Sequence, residues 1–432
     1  MQRFRKVWRL TAFIGASALM AVACGGDDDG GSATATEAPA SSEASTDSSA
    51  PAGSDAPSAD IDRTGQTIKV GYVNNDALSA AFRIGGQVAI DQINANGGIH
   101  GATIEVVECN ADGSPEGSIN CANKLIEEGV AMAYTGLDVG SDAAIPIYSS
   151  AGIPYVTSNG WGPVQENDPI ATILHAASGS YFLNPLSYFK DQGILKTGTF
   201  FSDTPAGNAY QPIIQEYSKK LGMETLVQIV DANTPDFTTA IAALQSQGAE
   251  ALWGIMTEPN CIGFVTAARQ IGFTGPVFAG SCSFYINLLK DQAVGTLTQG
   301  DLYVYDAYDD APPEIQKRLD DYATAMKDSG NETEIAGFAQ AVFGAWMELK
   351  TILESIPGDQ EVTPESILAA INNGEVVPGW FGPDLHCGAK LWPDATQACH
   401  ATNAVYEVVK KDDGSMGRKL VGDFTDASAM LG

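Results

Sequence analysis

Two short loops hold side chains suited to gripping a small polar molecule: 136–141, reading GLDVGS, and 158–161, reading SNGW. Together they offer a carboxylate, hydroxyls, a carboxamide and an indole. Such a set exchanges hydrogen bonds and supplies one aromatic wall, which is chemistry for recognition. The groupings needed for turnover are missing, since no GxSxG, HExxH, P-loop or GxGxxG stretch is present. His386-Cys387 and Cys399-His400 have the ligand types of a zinc site, but their spacing is not that of a finger, and the cysteines read better as a disulfide clip. His100 and His175 have no partner pattern. No catalytic residue, metal or cofactor is therefore expected.

Both loops sit where strands should end. Residues 130–135 are a short apolar run, and 141–149 have helix-compatible spacing through Ala144, Ile145 and Tyr148. Gly152 closes that helix, and 153–157 is a second buried strand. Two parallel strands joined by a helix make a βαβ unit, and open α/β sheets bind small ligands at the carboxyl ends of their strands. The same alternation predicts strands over 68–73, 103–108, 171–176, 197–202, 225–230, 251–255 and 277–279. Helices are predicted over 80–95, 114–128, 182–192, 209–221, 237–246 and 262–271. The pattern runs once on either side of about residue 177, the signature of parallel sheets covered by helices on both faces. Long helices over 313–327 and 335–355 follow, then a shorter one over 364–372. An alternating strand over 404–410 is typical of an antiparallel edge.

The 432 residues have room for two cored domains. A net charge of −30 argues against nucleic acid and against docking on anionic lipid. Arg3, Arg5, Lys6 and Arg9 precede a short apolar core, and the AVACG sequence at 21–25 resembles a bacterial lipobox. Residues 1–24 are thus expected to be a lipoprotein signal peptide, with Cys24 lipidated. Residues 25–65, rich in Ser, Ala, Asp and Pro, are expected to be a disordered tether. The protein is then exported and anchored at the outer face of the cytoplasmic membrane. Six further cysteines imply disulfides. Sequence leaves their connectivity open, and nearest-neighbour pairing (Cys109–Cys121, Cys261–Cys282, Cys387–Cys399) closes the shortest loops and is the expected scheme.

IKVGYV at 68–73, GGQVAIDQINANGGIHG at 85–101 and the cysteine-bearing stretch 103–130 resemble the type I solute-binding proteins of ABC transporters, nearest to the Leu/Ile/Val group. AGIPYVTSN (151–159) and RQIGFTGPVF (269–278) fit the same pattern, so the resemblance spans about 66–430. It implies an α/β fold of two Rossmann-like lobes joined by three hinge crossings, near 175–180, 304–309 and 375–379. Lobe I would be 66–177 plus 308–376, and lobe II 178–307 plus 377–432. It also implies a ligand held by loops of both lobes. In lobe I these offer Asn75, Asp138, Ser141, Ser158, Asn159 and Trp161, although Trp161 also suits a purely structural hinge. In lobe II, Ala206 stands where the family often has an aromatic residue, Thr257 and Glu258 follow a strand, and Ser281 replaces an acidic residue that amino acid binders use for the ligand ammonium. Glu258 is equally suited to helix capping. The implied function is capture of a small amino-acid-like, amide, carboxylate or aromatic solute by hinge closure, for delivery to ABC permease subunits. The protein is expected to be a monomer. A sensor of the same fold without transport is the alternative, and an exported hydrolase a more distant one.

Overall fold

The computed structural model describes residues 61–76, 79–203, 205–231, 236–392 and 395–430. The expected leader, Cys24 and the tether as far as residue 60 lie outside the described residues. The fold begins before the expected tether ends. Arg63 is 1% exposed, and its guanidinium donates to the carbonyls of Ile356, Pro357 and Gln360.

The first sheet contains β1 (Thr67–Asn74), β2 (Thr103–Asn110), β3 (Met132–Thr135), β4 (Tyr155–Thr157), β5 (Ala171–Ala176) and β11 (Ala398–His400). Their order is β11-β5-β4-β3-β1-β2, and every pairing is parallel. Alternate residues face opposite helical layers, because successive side chains of a strand point to opposite faces. Tyr72, Tyr134 and Val156 pack toward α1 (Ala81–Ala95) and α10 (Phe338–Glu354). Val73, Ala133 and Tyr155 pack toward α2 (Pro115–Glu127) and α3 (Ile145–Ala151). Local signals set the helix ends. The Ser114 hydroxyl accepts the Gly117 N–H ahead of Pro115 at the start of α2, and Gly152, with φ of 69°, closes α3 in the left-handed conformation that glycine adopts readily.

The second sheet contains β6 (Lys196–Ser202), β7 (Glu224–Val230), β8 (Ala251–Ile255), β9 (Val277–Phe278), β10 (Leu297–Gly300), β12 (Thr402–Lys410) and β13 (Met416–Asp426), in the order β13-β12-β10-β9-β8-β6-β7. The strands from β7 to β10 are parallel, and β12 runs antiparallel to both of its neighbours, β10 and β13. The strand predicted over 404–410 is antiparallel, but it is internal, because β13 covers its outer side. Helices α4 (Ser178–Asp191) and α5 (Pro205–Lys220) cover one face, and α6 (Thr238–Ser246) and α7 (Glu258–Gln270) the other. The short α8 (Phe284–Leu289) follows β9, α9 (Pro313–Asp328) follows the second crossing, and α11 (Pro364–Ile371) follows α10.

The chain passes between the sheets at Ala177, over 301–304 and at Ala401. The third passage corrects the expected position at 375–379. β11 pairs with β5, so 398–400 lies with the first sheet rather than the second. Three disulfides join Cys109–Cys121, Cys261–Cys282 and Cys387–Cys399, with Cα separations of 5.5, 6.5 and 4.1 Å. No helix among the described residues is long and apolar enough to cross a membrane.

Candidate functional site

The loops after β3 and β4 and those after β8 and β9 lie at the carboxyl ends of the two sheets, and the lobes touch beside them. Trp161 stands edge-on to Tyr210 of α5, with ring centres 6.0 Å apart. A Cβ at Gly337, just before α10, would lie 3.0 Å from the Ser283 hydroxyl. The first lobe and the second therefore touch at two places around one mouth.

The expected site residues divide by what already occupies them. Asn75 is 2% exposed, and both ends of its carboxamide have no hydrogen-bond partner among the described residues. Asp138 is buried, and its Oδ1 accepts from the Ser118 hydroxyl at 2.9 Å and the Gly140 N–H at 3.0 Å. Burial pushes its pKa up in spite of these two donors. The carboxylate thus ties its loop to α2. Ser141 is buried at the head of a short 3-10 turn (Ser141–Ala143). Ser158 shares a 2.6 Å hydrogen bond with the Tyr134 hydroxyl inside the first core. Asn159 is half-buried and donates through Nδ2 to the Tyr181 hydroxyl of α4, at 3.2 Å. Trp161 is half-buried, and its backbone N–H donates to Gln165 Oε1 at 2.7 Å.

On the second lobe, Ala206 falls in the first turn of α5, and its side chain lies outside the description. Thr257 is the N-cap residue of α7. Glu258 opens that helix, and its carboxylate caps the neighbouring one: Oε1 accepts the Ser283 N–H at 2.8 Å and Oε2 the Phe284 N–H at 3.2 Å. Burial raises its pKa despite those donors. Ser281 is exposed. The structure brings Asn159 and Trp161 to the second lobe, and turns Asp138, Ser158 and Glu258 inward onto their own lobes.

Several residues at this mouth carry no signal in the sequence. Tyr210 lies inside an amphipathic helix, where an aromatic residue reads as core, and it also packs on Phe182 at 4.6 Å. Phe82 and Phe338 stack at 4.5 Å, and a Cβ at Gly136 would press within 2.6 Å of the Phe82 ring. Asp142 organises the turn after Trp161. Its Oδ1 accepts the Gln165 N–H at 2.9 Å and would lie 2.4 Å from a Cβ at Gly162, which explains a glycine there.

The model of a family described as periplasmic binding proteins matches residues 68–401. The chain belongs to that family. Its relatives place it in the type I group with the branched-chain amino acid binders. An amino acid binding protein of Pseudomonas aeruginosa is 25% identical over 213 residues, 46% of this chain and 55% of that protein, so the match spans about half of that relative. A Leu/Ile/Val-binding protein homologue of Brucella abortus is 22% identical over 301 residues, covering 66% and 75% of the two chains. Among solved structures, an ABC transporter solute-binding protein of Rhodopseudomonas palustris, in complex with p-hydroxybenzoic acid, superposes with a TM-score of 0.69. It is 19% identical and covers 84% of this chain and 98% of its own. At that identity the likeness speaks for the fold.

Proposed function

We propose that this protein is the extracytoplasmic solute receptor of an ABC importer, and that its solute is an aromatic or apolar acid or amide rather than an α-amino acid held by its ammonium. The observation that carries the solute class is the state of the carboxylates at the mouth. Each oxygen of Glu258 accepts a backbone N–H, Asp138 Oδ1 accepts from Ser118 and Gly140, and Ser281 is neutral. A buried ammonium needs a carboxylate turned toward it, because desolvating an unpaired cation is strongly unfavourable, and these two are turned onto their own lobes. Half-buried Trp161 and Phe338, packed on the buried Tyr210 and Phe82, give the mouth an aromatic lining instead, and the unpartnered Asn75 carboxamide matches a solute amide or carboxylate.

Closure follows from contacts made by both lobes at once, since a ligand shifts an equilibrium only by its differential affinity for the closed state. The test is a set of matched pairs by thermal shift and calorimetry: phenylalanine against 3-phenylpropanoate, with leucine, 4-hydroxybenzoate and benzamide. We expect an acid or amide to raise the melting midpoint by a few degrees and to bind at least tenfold tighter than its amino acid partner. Tighter binding of the amino acids overturns the solute class. Turnover of any bound compound overturns the receptor reading.

A further inference from the structure

The three crossings converge on a buried group of titratable side chains that the mouth does not use. His175 lies near the end of β5, Asp301 opens the second crossing, His400 ends β11 and Glu348 projects from α10. None is more than 7% exposed. His175 Nδ1 is 3.6 Å from Asp301 Oδ2, and its Nε2 is 3.8 Å from Glu348 Oε2. Both distances are too long for hydrogen bonds. His175 Nδ1 and Glu348 Oε2 have no other partner among the described residues.

The rest of the group is firmly held. Glu348 Oε1 accepts the Trp380 N–H at 2.7 Å. Asp301 Oδ2 accepts the Ala176 N–H at 3.2 Å and the Tyr181 hydroxyl at 2.8 Å. A cavity of about 10 Å³ opens among His175, Asp301, Glu348, His400 and Phe381.

The charges facing the group come from every element around it. Arg318 of α9, which donates to the carbonyls of Gly379 and Trp380, acts on Glu348. Asp426 of β13 and His386 act on His400, whose Nδ1 accepts the Thr402 N–H. Burial pushes the Glu348 pKa above the ordinary carboxylate value, outweighing His175 and the Trp380 N–H. Burial also opposes ionisation of Asp301, but the two imidazoles, the Tyr181 hydroxyl and the Ala176 N–H hold its pKa below the ordinary value. Burial pushes His400 down to about 4.

We propose that this junction is a proton-operated latch, in which a proton taken up between His175 and Glu348 ties β5, α10 and the second crossing together and holds the lobes in the arrangement seen here. A charged imidazole donates from both nitrogens, and bonds from a cation to carboxylates are shorter and stronger than neutral ones. One proton from solvent would convert two loose contacts into two bonds, each involving one atom that now lacks a partner, His175 Nδ1 in one and Glu348 Oε2 in the other. Because Asp301 also receives the Tyr181 hydroxyl, which in turn receives Asn159, the junction is wired to the loop after β4. Proton occupancy then biases a two-state element by a local change in charge. The latch needs no solute, so it stands apart from the solute class proposed above.

The test uses the full chain without solute, at pH 5.5 and 7.5, a window in which His400 stays neutral. Small-angle X-ray scattering reads lobe closure, and amide exchange reads opening of the 301–304 crossing. We expect a smaller radius of gyration at pH 5.5 and several-fold slower exchange in that crossing, with both differences lost in Glu348→Gln and His175→Gln. With four histidines in the chain, imidazole resonances of the unaltered protein give a readout that needs no variant. An imidazole signal should change together with the shape. A wild type indifferent to pH, folded variants that keep its response, or imidazole signals that do not follow the change in shape each overturn the latch.

Discussion

His400 sits where the chain last crosses between lobes, and its chemistry sets a pH dependence with a definite sign. Its Nδ1 accepts the Thr402 N–H, a role open only to the neutral ring. Burial opposes the charge and lowers the pKa to about 4, whereas an unfolded histidine titrates near about 6.5. As pH falls the unfolded chain takes the proton first. The stability this neutral ring contributes is present above about 6.5 and drains away as pH falls toward about 4. Urea midpoints measured from pH 7 to pH 5 should show the wild type's margin over His400→Asn shrinking as the pH drops. A margin that grows would put the charged ring in the fold. Little of this was legible in the sequence, where His400 carried only a discarded zinc reading. The candidate site was half legible. Spacing identified the loops that carry Asp138, Ser158 and Glu258, but not where their side chains turn. That depends on hydrogen-bond partners such as Ser118, Tyr134 and Ser283, distant in sequence or set by an adjoining helix. The capping alternative for Glu258 is what the structure displays, although the helix it caps is α8 rather than its own.

At the scale of elements, the contact between α1 and α10 depends on a single missing methyl group. A Cβ at Gly85 would lie 2.2 Å from the Ala339 carbonyl oxygen and 2.7 Å from its Cα, both parts of a helix backbone that cannot swing aside. Alanine normally favours a helix over glycine by about 1 kcal/mol. Here overpacking should reverse the sign, so that Gly85→Ala costs about 1–3 kcal/mol. Guanidinium unfolding would show this as a lower midpoint at unchanged slope. A stabilised variant would mean the helices separate freely. The elements that sequence located carry a periodic or an unbroken apolar run, such as α1, β1 and β8. Those it missed had no such pattern. β11 is three residues and α8 is six. β13 reads MGRKLVGDFTD, with charges and glycines along an outer strand, and is defined by pairing with β12 rather than by its own alternation. Missing β11 misplaced the third crossing, because pairing with β5, not composition, assigns it to the first sheet.

For the molecule as a whole, the decisive quantity is charge. The chain carries 53 acidic against 23 basic side chains, for a net −30. Like charges at this density repel in the compact state more than in an expanded chain, which lowers stability. Added salt should relieve that repulsion, because the screening length shrinks from about 30 Å at 0.01 M to about 10 Å at 0.1 M. Salt also weakens attractive pairs, but several of those among the described residues have both partners exposed, such as Lys317–Asp321 and Lys410–Asp291. Exposed pairs contribute about 0–1 kcal/mol each. Arg418–Asp306, with the guanidinium side chain 3% exposed and the carboxylate 19%, is shielded from screening by burial. Repulsion therefore outweighs attraction in the salt response. The melting midpoint should rise through the low-salt range in sodium chloride and level off once the screening length falls below the spacing of surface charges. Sulfate is unsuitable for this measurement, because it strengthens apolar burial by a separate route. A midpoint that falls with sodium chloride would mean that specific ion pairs, not net repulsion, govern the stability of the two lobes.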